Sequence, residues 1–367
     1  MTEPTHRKAL PRYQRDKTAF PKFTLRERDR EIVRLVFEHR FLDTELIWHL
    51  LKKEGDSDAD YLTGKDGKAR PVSYGFGRKA LYKRLQALYH TSYLNRRFPA
   101  DQPIGRGYDG PRAIYGIGPK STRILADMVD ASPQEVRRIV EANKVGDPFM
   151  RHALEIARFR VILELACRRS QDRVRLLFWE QGQHLRDTVY GVDDDGGDRR
   201  FTVYPDAFFG LEVANTGRAS YFLEVDRGTE PIVSTKQRTD IRNKLVGYRF
   251  YRKRERIAKR YAYTRTPDGA VTGLEILEQD NRVDDADRLK GFSVLFVTNG
   301  SVGKDRAVTG RIANILGTLP ALGKFYANNS LYWFTSVDAL KLEEPESIFR
   351  NIWILPKPGS GVASLID

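Results

Sequence analysis

Two short segments place carboxylates inside otherwise apolar, strand-like sequence. They are Tyr204-Pro205-Asp206-Ala207-Phe208-Phe209 and Phe222-Leu223-Glu224-Val225-Asp226-Arg227-Gly228-Thr229-Glu230. An ionised carboxylate taken out of water without a partner is costly, so acids gathered there require a cation. Glu224 and Asp226 are two apart, which in a strand points both side chains to one face. Asp206, on the preceding strand, can sit beside them. Oxygen donors of this kind suit Mg²⁺ or Mn²⁺. Lys244 and Tyr248, four apart on the helix that follows, share one of its faces. The alternative to a metal centre is an ion-pair network, because Arg227 is adjacent and the following helix supplies many cations.

Positioning such a cluster takes strands and a helix in a fixed order. A long helix is expected at about Arg151 to Arg169, after a break at Gly146 to Pro148. Strand-like runs follow at Val174 to Glu180, Phe201 to Leu211 and Ser220 to Asp226. A strongly basic helix spans about Lys236 to Arg260, and a Gly- and Asp-rich loop spans about 266–290. The continuous apolar run Phe292 to Thr298 suits a buried strand. A helix at about Thr309 to Leu319 and a strand at Ser330 to Thr335 complete an α/β layered order. The basic helix, with Asp240 and Glu255 as its few acids, reads as a DNA contact beside the acids. Gly300-Ser301-Val302-Gly303-Lys304 lacks the full phosphate-loop pattern and reads as a strand-to-helix connection. The tail after Pro356 is glycine-rich and is expected to fray.

The N-terminal third has a different pattern. Residues 1–22 read as a basic arm, either solvated or tracking DNA. Thr24 and Glu27 form a capping-box pair ahead of the apolar stripe Ile32, Leu35 and Val36. Phe41 to Glu45 form a capped turn, and Leu46, Ile47, Leu50 and Leu51 mark a second helix. Residues 54–75 read as a loop. A third helix runs from about Phe76 to His90, with Leu81, Leu85 and Leu88 on one side. Lys79, Lys83, Gln86 and His90 lie nearly opposite, as a recognition helix requires. Arg78 opens the same helix. Tyr93 to Phe98, bearing Arg96 and Arg97, and Ala113 to Ile117 read as a hairpin whose tip carries Arg106 and Arg112. Three helices and a hairpin give the winged-helix order. Pro133 then opens a polar helix through Asn143.

Bulk properties agree with a DNA ligand. The 367 residues carry a net charge of +14. Residues 1–125 hold 26 Lys and Arg against 15 Asp and Glu, so most of the excess lies in the first third. A positive field of this kind attracts a polyanion such as duplex DNA; ribosomal RNA or an anionic membrane surface would answer the same sign, and an RNA-binding processing factor is a further alternative. Cys167 is the lone cysteine, which excludes an intramolecular disulfide and a cysteine-based zinc site. No apolar stretch nears the roughly 20 residues that span a bilayer. The N-terminus has no secretory h-region. A cytoplasmic setting without membrane partners is expected. No heptad seam is visible, which leaves the oligomeric state open, a dimer included.

The acid-bearing strands resemble the PD-(D/E)XK nuclease core, in which an aspartate on one strand and an E-x-K on the next bind the metal. That resemblance implies Asp206 and Glu224 as metal ligands and Glu164 as the acid on the preceding helix. It puts Asp226 where the family has its lysine. Lys244, or Lys236, is then the candidate substitute. From about Phe23 to Thr335, apart from the loops at 54–75 and 266–290, the chain resembles the replication-relaxation family of plasmids and mobile elements. Leu25-Arg26-Glu27-Arg28-Asp29, Ala113 to Gly118, Pro205-Asp206-Ala207 and Phe222 to Pro231 carry the likeness. The expectation is an α/β protein with four parts: a basic arm (1–23), a winged helix-turn-helix (24–145), a restriction-endonuclease-like mixed-sheet domain (146–356) and a tail (357–367). The implied function is DNA binding in replication or DNA relaxation, with metal-dependent nicking beside the bound site. The alternative is a non-catalytic accessory factor or transcriptional regulator with a degenerate nuclease fold. A relaxase or replication protein is the implied partner.

Overall fold

The computed structural model describes residues 14–52, 61–63, 69–71, 78–98, 113–129, 132–192, 197–234, 240–277, 283–302, 308–319, 331–356 and 361–366. The chain divides into two compact units, Met1–Val161 and Ile162–Asp367.

The first unit opens with α1 (Glu27–Glu38), β1 (Leu42–Asp43) and α2 (Thr44–Leu51). The α1 cap lies two residues later than the Thr24–Glu27 pair suggests. Asp29 accepts from the Arg26 backbone N–H at 2.7 Å and also binds Arg84. A carboxylate held by a neighbouring arginine is the better fixed acceptor, and the helix starts where it sits. Asp43 caps α2, accepting from the Leu46 N–H at 2.8 Å. The expected loop at 54–75 contains two short paired strands, β2 (Tyr61–Thr63) and β3 (Ala69–Pro71).

Next come α3 (Arg78–His90), β4 (Leu94–Arg97) and β5 (Ile114–Ile117), with β5 lying between β1 and β4 in a small sheet. Leu81, Leu85 and Leu88 are fully buried, as the helical spacing requires. Helix α4 (Ser121–Val129) has no counterpart in the sequence reading, while α5 (Pro133–Ala142) does. Ser132 and Glu135 close a capping box at the start of α5. Helix α6 (Asp147–Arg169) starts earlier than expected. Pro148 falls in its first turn, where a missing N–H leaves no intrahelical bond unmade.

The second unit is built on a seven-stranded mixed sheet. In chain order its elements are β6 (Val174–Glu180), β7 (Asp187–Val192), β8 (Asp198–Val203), β9 (Ala207–Val213), β10 (Gly217–Asp226), α7 (Ile241–Lys253), α8 (Arg256–Arg260), β11 (Tyr261–Arg265), β12 (Val271–Ile276), β13 (Ser293–Thr298), β14 (Ser301–Val302), β15 (Val308–Thr309), α9 (Gly310–Thr318), β16 (Tyr332–Ser336), β17 (Trp353–Ile354) and β18 (Val362–Ala363). The sheet runs β18-β17-β16-β13-β10-β9-β6. Its centre, β10-β13-β16, is parallel, and the flanking pairs are antiparallel.

Four expectations need correction here. The single strand Phe201 to Leu211 is two strands, broken at Tyr204–Asp206, where Pro205 has no N–H to give a ladder. The helix expected from Lys236 starts instead at Ile241, because Asp240 caps it. It is interrupted at Glu255, whose φ of 53° no α-helix continues. The loop expected at 266–290 contains β12, which pairs with β11. The C-terminal tail is partly ordered as the edge strand β18, with Leu365 buried.

The core joins the central strands to α7 and α9 through Phe208, Phe222, Phe296, Leu245, Tyr248 and Ile312, among others. The β7–β8 hairpin packs on α7 at close range. A Cβ added to Gly191 would stand 2.3 Å from the Phe250 ring.

Candidate functional site

The acids meet at the end of β10. Strand β9 stops pairing at Ala207, opposite Leu223. One residue outside the strand, Asp206 donates its N–H to the Leu223 carbonyl at 2.9 Å. Its side chain accepts from the Val225 N–H at 2.8 Å. Asp206 thus completes the backbone bonding of β10 where its neighbour strand ends.

Glu224, 2% exposed, is held from α7. Lys244 Nζ lies 2.9 Å from one of its oxygens, and the Tyr248 hydroxyl donates to the other at 2.5 Å. The i, i+4 spacing of the two residues therefore brings both to one carboxylate. Lys244 also pairs with Glu230 at 2.9 Å. Burial pushes the Glu224 carboxyl up to about 7, with Lys244 pulling it down and Asp206 pushing it further up. Burial works against the Lys244 ammonium. Glu224, Asp206 and Glu230 outweigh it and hold the amine protonated above the ordinary lysine range. The Tyr248 hydroxyl is raised well above its usual value by burial and by Glu224, so it serves as a donor.

Asp226 is buried but turned to other partners. The Arg311 guanidinium from α9 binds it, with one nitrogen at 3.0 Å. Thr298 Oγ1 donates to it at 2.7 Å, and the Gly228 N–H at 3.0 Å. Arg311 is the residue that sequence reasoning missed. The demand of a buried Asp226 for a cation was its only signal, and nothing in the sequence said which arginine answers it. Glu164 lies on α6, one turn before Cys167, and helps burial push that thiol up to about 12. The groups set around Glu224 are Lys244, Tyr248 and Asp206. Lys236 lies outside the described residues.

Asp206 and Glu224 are hard oxygen donors of the kind a divalent ion takes. Among the described residues, however, no group of three or more His, Cys, Asp or Glu side chains could hold a metal. Both oxygens of Glu224 already receive donors, and the Lys244 ammonium supplies the positive charge. The arrangement as it stands does not fit a bound Mg²⁺ or Mn²⁺. It fits a self-neutralised acid–lysine pair.

In the first unit the expected DNA-facing residues separate into two groups. Lys83 is exposed, and Lys79 and Gln86 are half-buried on the outward side of α3. Arg78 forms two bonds to Glu45, at 2.7 and 3.0 Å. Arg96 lies over the Tyr89 ring at 4.1 Å. Arg97 binds Asp147 and the Val145 carbonyl. These three arginines tie elements of the fold together. Arg106 and Arg112 lie outside the described residues. His90 is a correction: it is 1% exposed, not outward-facing. Its Nδ1 accepts from the Asp16 N–H at 3.0 Å, and burial, then Arg96, lowers its pKa. Residues before α1 fold back over it. Arg15 donates to the Tyr89 and Leu94 carbonyls at 2.9 Å each. Among the described residues no helix is long and apolar enough to cross a membrane.

No curated protein and no solved structure matches the chain. Residues 33–266, more than half of the 367, match the replication-relaxation family, and the chain belongs to that family.

Proposed function

We propose that this protein binds duplex DNA through a winged helix-turn-helix in its first unit and acts in replication or relaxation of plasmid or mobile-element DNA. Family membership supports the process. The observation that carries the DNA reading is α3. Its Leu81, Leu85 and Leu88 are fully buried, while Lys83 is exposed and Lys79 and Gln86 stand on the same outward side. A helix fixed on one side and cationic on the other is suited to a groove, with lysines on phosphates and Gln86 on a base edge. In this reading the second unit is nuclease-like in its strand order, and its acid–lysine pair is structural. The protein then works as an accessory factor beside a relaxase or replication protein.

A second reading is direct nicking. It is favoured by the convergence of Asp206, Glu224 and Lys244 at one strand end. It requires Lys244 to leave Glu224 when DNA arrives. One experiment serves both readings. Purified protein is incubated with supercoiled plasmid, with and without Mg²⁺ or Mn²⁺, alongside Asp206→Ala and Glu224→Ala, and run on a gel. Retarded, intact plasmid under every condition supports the accessory factor. Metal-dependent open circles that vanish in both variants establish nicking. Unretarded plasmid at low salt refutes DNA binding altogether.

A further inference from the structure

Beside α3 lies a groove of about 880 Å³ that shares only Lys83 with the DNA reading. Its floor is apolar: Phe20 and Phe23 before α1, and Ala80 and Ala87 one above the other on α3. Lys22, Arg26 and Lys83 stand exposed around it. The one acid in its lining, Asp29, is 1% exposed and neutralised by Arg84. We propose that this groove docks an acidic, amphipathic helical segment of a partner protein.

Three observations select that occupant. The exposed charges at the rim are all positive, so the partner's rim must be acidic. The apolar floor has no use for a phosphate backbone but suits the apolar stripe of a helix. The small, exposed side chain of Ala80 lets a second helix approach α3 closely there, over the buried Ala87. A single nucleic-acid strand would need free aromatic faces for its bases. The Arg84 guanidinium already lies over the Phe23 ring at 4.8 Å, and Phe20 packs against the His90 ring at 6.0 Å. The chain's own first 13 residues do not match either, since His6, Arg7, Lys8 and Arg12 stand against Glu3 alone. The docking would engage Lys83 at the rim but would not cover the side of α3 that carries Lys79 and Gln86. It goes beyond the DNA-binding proposal and does not depend on it.

The test uses the full chain and a fluorescein-labelled peptide of about 15 residues, with Leu at i, i+3, i+4 and i+7 and Glu or Ala elsewhere. Controls are a scrambled peptide of the same composition and an oligo(dT) of similar length. Binding is read by fluorescence anisotropy, and duplex DNA binding by mobility shift. Ala80→Trp fills the groove from an exposed position, and Lys22→Glu/Arg26→Glu reverses the rim. The expected result is binding of the amphipathic peptide, weakened at least about ten-fold by either change, with the duplex affinity of Ala80→Trp within about two-fold of wild type. Circular dichroism confirms that the variants fold. Absence of peptide binding overturns the proposal, as does equal binding of the scrambled peptide. Oligo(dT) binding that displaces the peptide and is itself lost in Ala80→Trp assigns the groove to a nucleic-acid strand and also overturns it. Failure to shift duplex DNA, with peptide binding intact, counts against the DNA proposal alone.

Discussion

Replacing Lys244 with methionine removes the cation from Glu224 while keeping a long apolar stem. In the wild-type protein the Glu224 carboxyl is pushed up to about 7 by burial, against the pull of Lys244. The folded state therefore holds this proton more tightly than the unfolded chain, whose carboxylates titrate near 4.3. Stability falls as pH rises through that window, by the linkage between bound protons and folding. Without Lys244 the window extends upward, because nothing but the Tyr248 hydroxyl then stabilises the buried anion. Each further unit costs about 1.4 kcal/mol. An extension past pH 9 makes the variant about 3 kcal/mol less stable there, within the roughly 3–5 kcal/mol typical of breaking a buried pair. At pH 6, below that value of about 7, a larger share of Glu224 is protonated with or without Lys244, so less buried charge is left unpaired. The loss there reduces to the half-exposed pair with Glu230, about 1 kcal/mol or less. Urea unfolding at pH 6 and pH 9 measures the difference. Lys244→Met/Glu224→Gln should recover most of the alkaline loss. Equal destabilisation at both pH values, or a double variant no better than the single, would refute the reasoning.

Other substitutions follow from the same contacts. Asp226→Lys restores the residue type of the nuclease pattern but sets it against Arg311. It should destabilise the protein by about 3–5 kcal/mol in chemical denaturation and produce no cleavage of plasmid. Lys83→Ala should weaken duplex binding and lower the slope of log affinity against log salt by about one, whereas Arg78→Ala should show mainly as a lower melting temperature because its partner is Glu45. Gly191→Ala drives a methyl into the Phe250 ring and should cost about 1–3 kcal/mol, read by thermal unfolding. The Cys167 thiol, half-buried and pushed up to about 12, should react with a disulfide reagent at pH 8 well below the rate of a free cysteine, and labelling of the native chain at the free-cysteine rate would contradict that shift.

The parts legible in the sequence were those fixed by local patterns. The leucine spacing in α3, Asp43 before α2, the run that forms β13 and the i, i+4 pair of Lys244 and Tyr248 all required only neighbouring residues. What escaped depends on distant ones. The α1 cap follows from Arg84 holding Asp29, 55 residues away. The charge on Asp226 is met by Arg311, 85 residues away. A cation pattern made Arg78, Arg96 and Arg97 candidate DNA contacts but could not show that Glu45, Tyr89 and Asp147 lie across from them. His90 fell on the expected face by helical angle, yet the segment around Asp16 covers that turn. Helix α4 and the strands β7, β11 and β12 are short elements whose pairing partners complete them, and their own periodicity is too brief to mark them.

The last strand has a bearing on how the molecule is handled. β18 hydrogen-bonds to β17 at one margin of the large sheet, and Ser364 Oγ donates to the Phe349 carbonyl at 2.7 Å. Trimming the chain after Pro356 would leave the bonding groups of Trp353 and Ile354 open along one side. An open strand margin is a template for a second chain. A shortened version should therefore precipitate or swap strands on concentration.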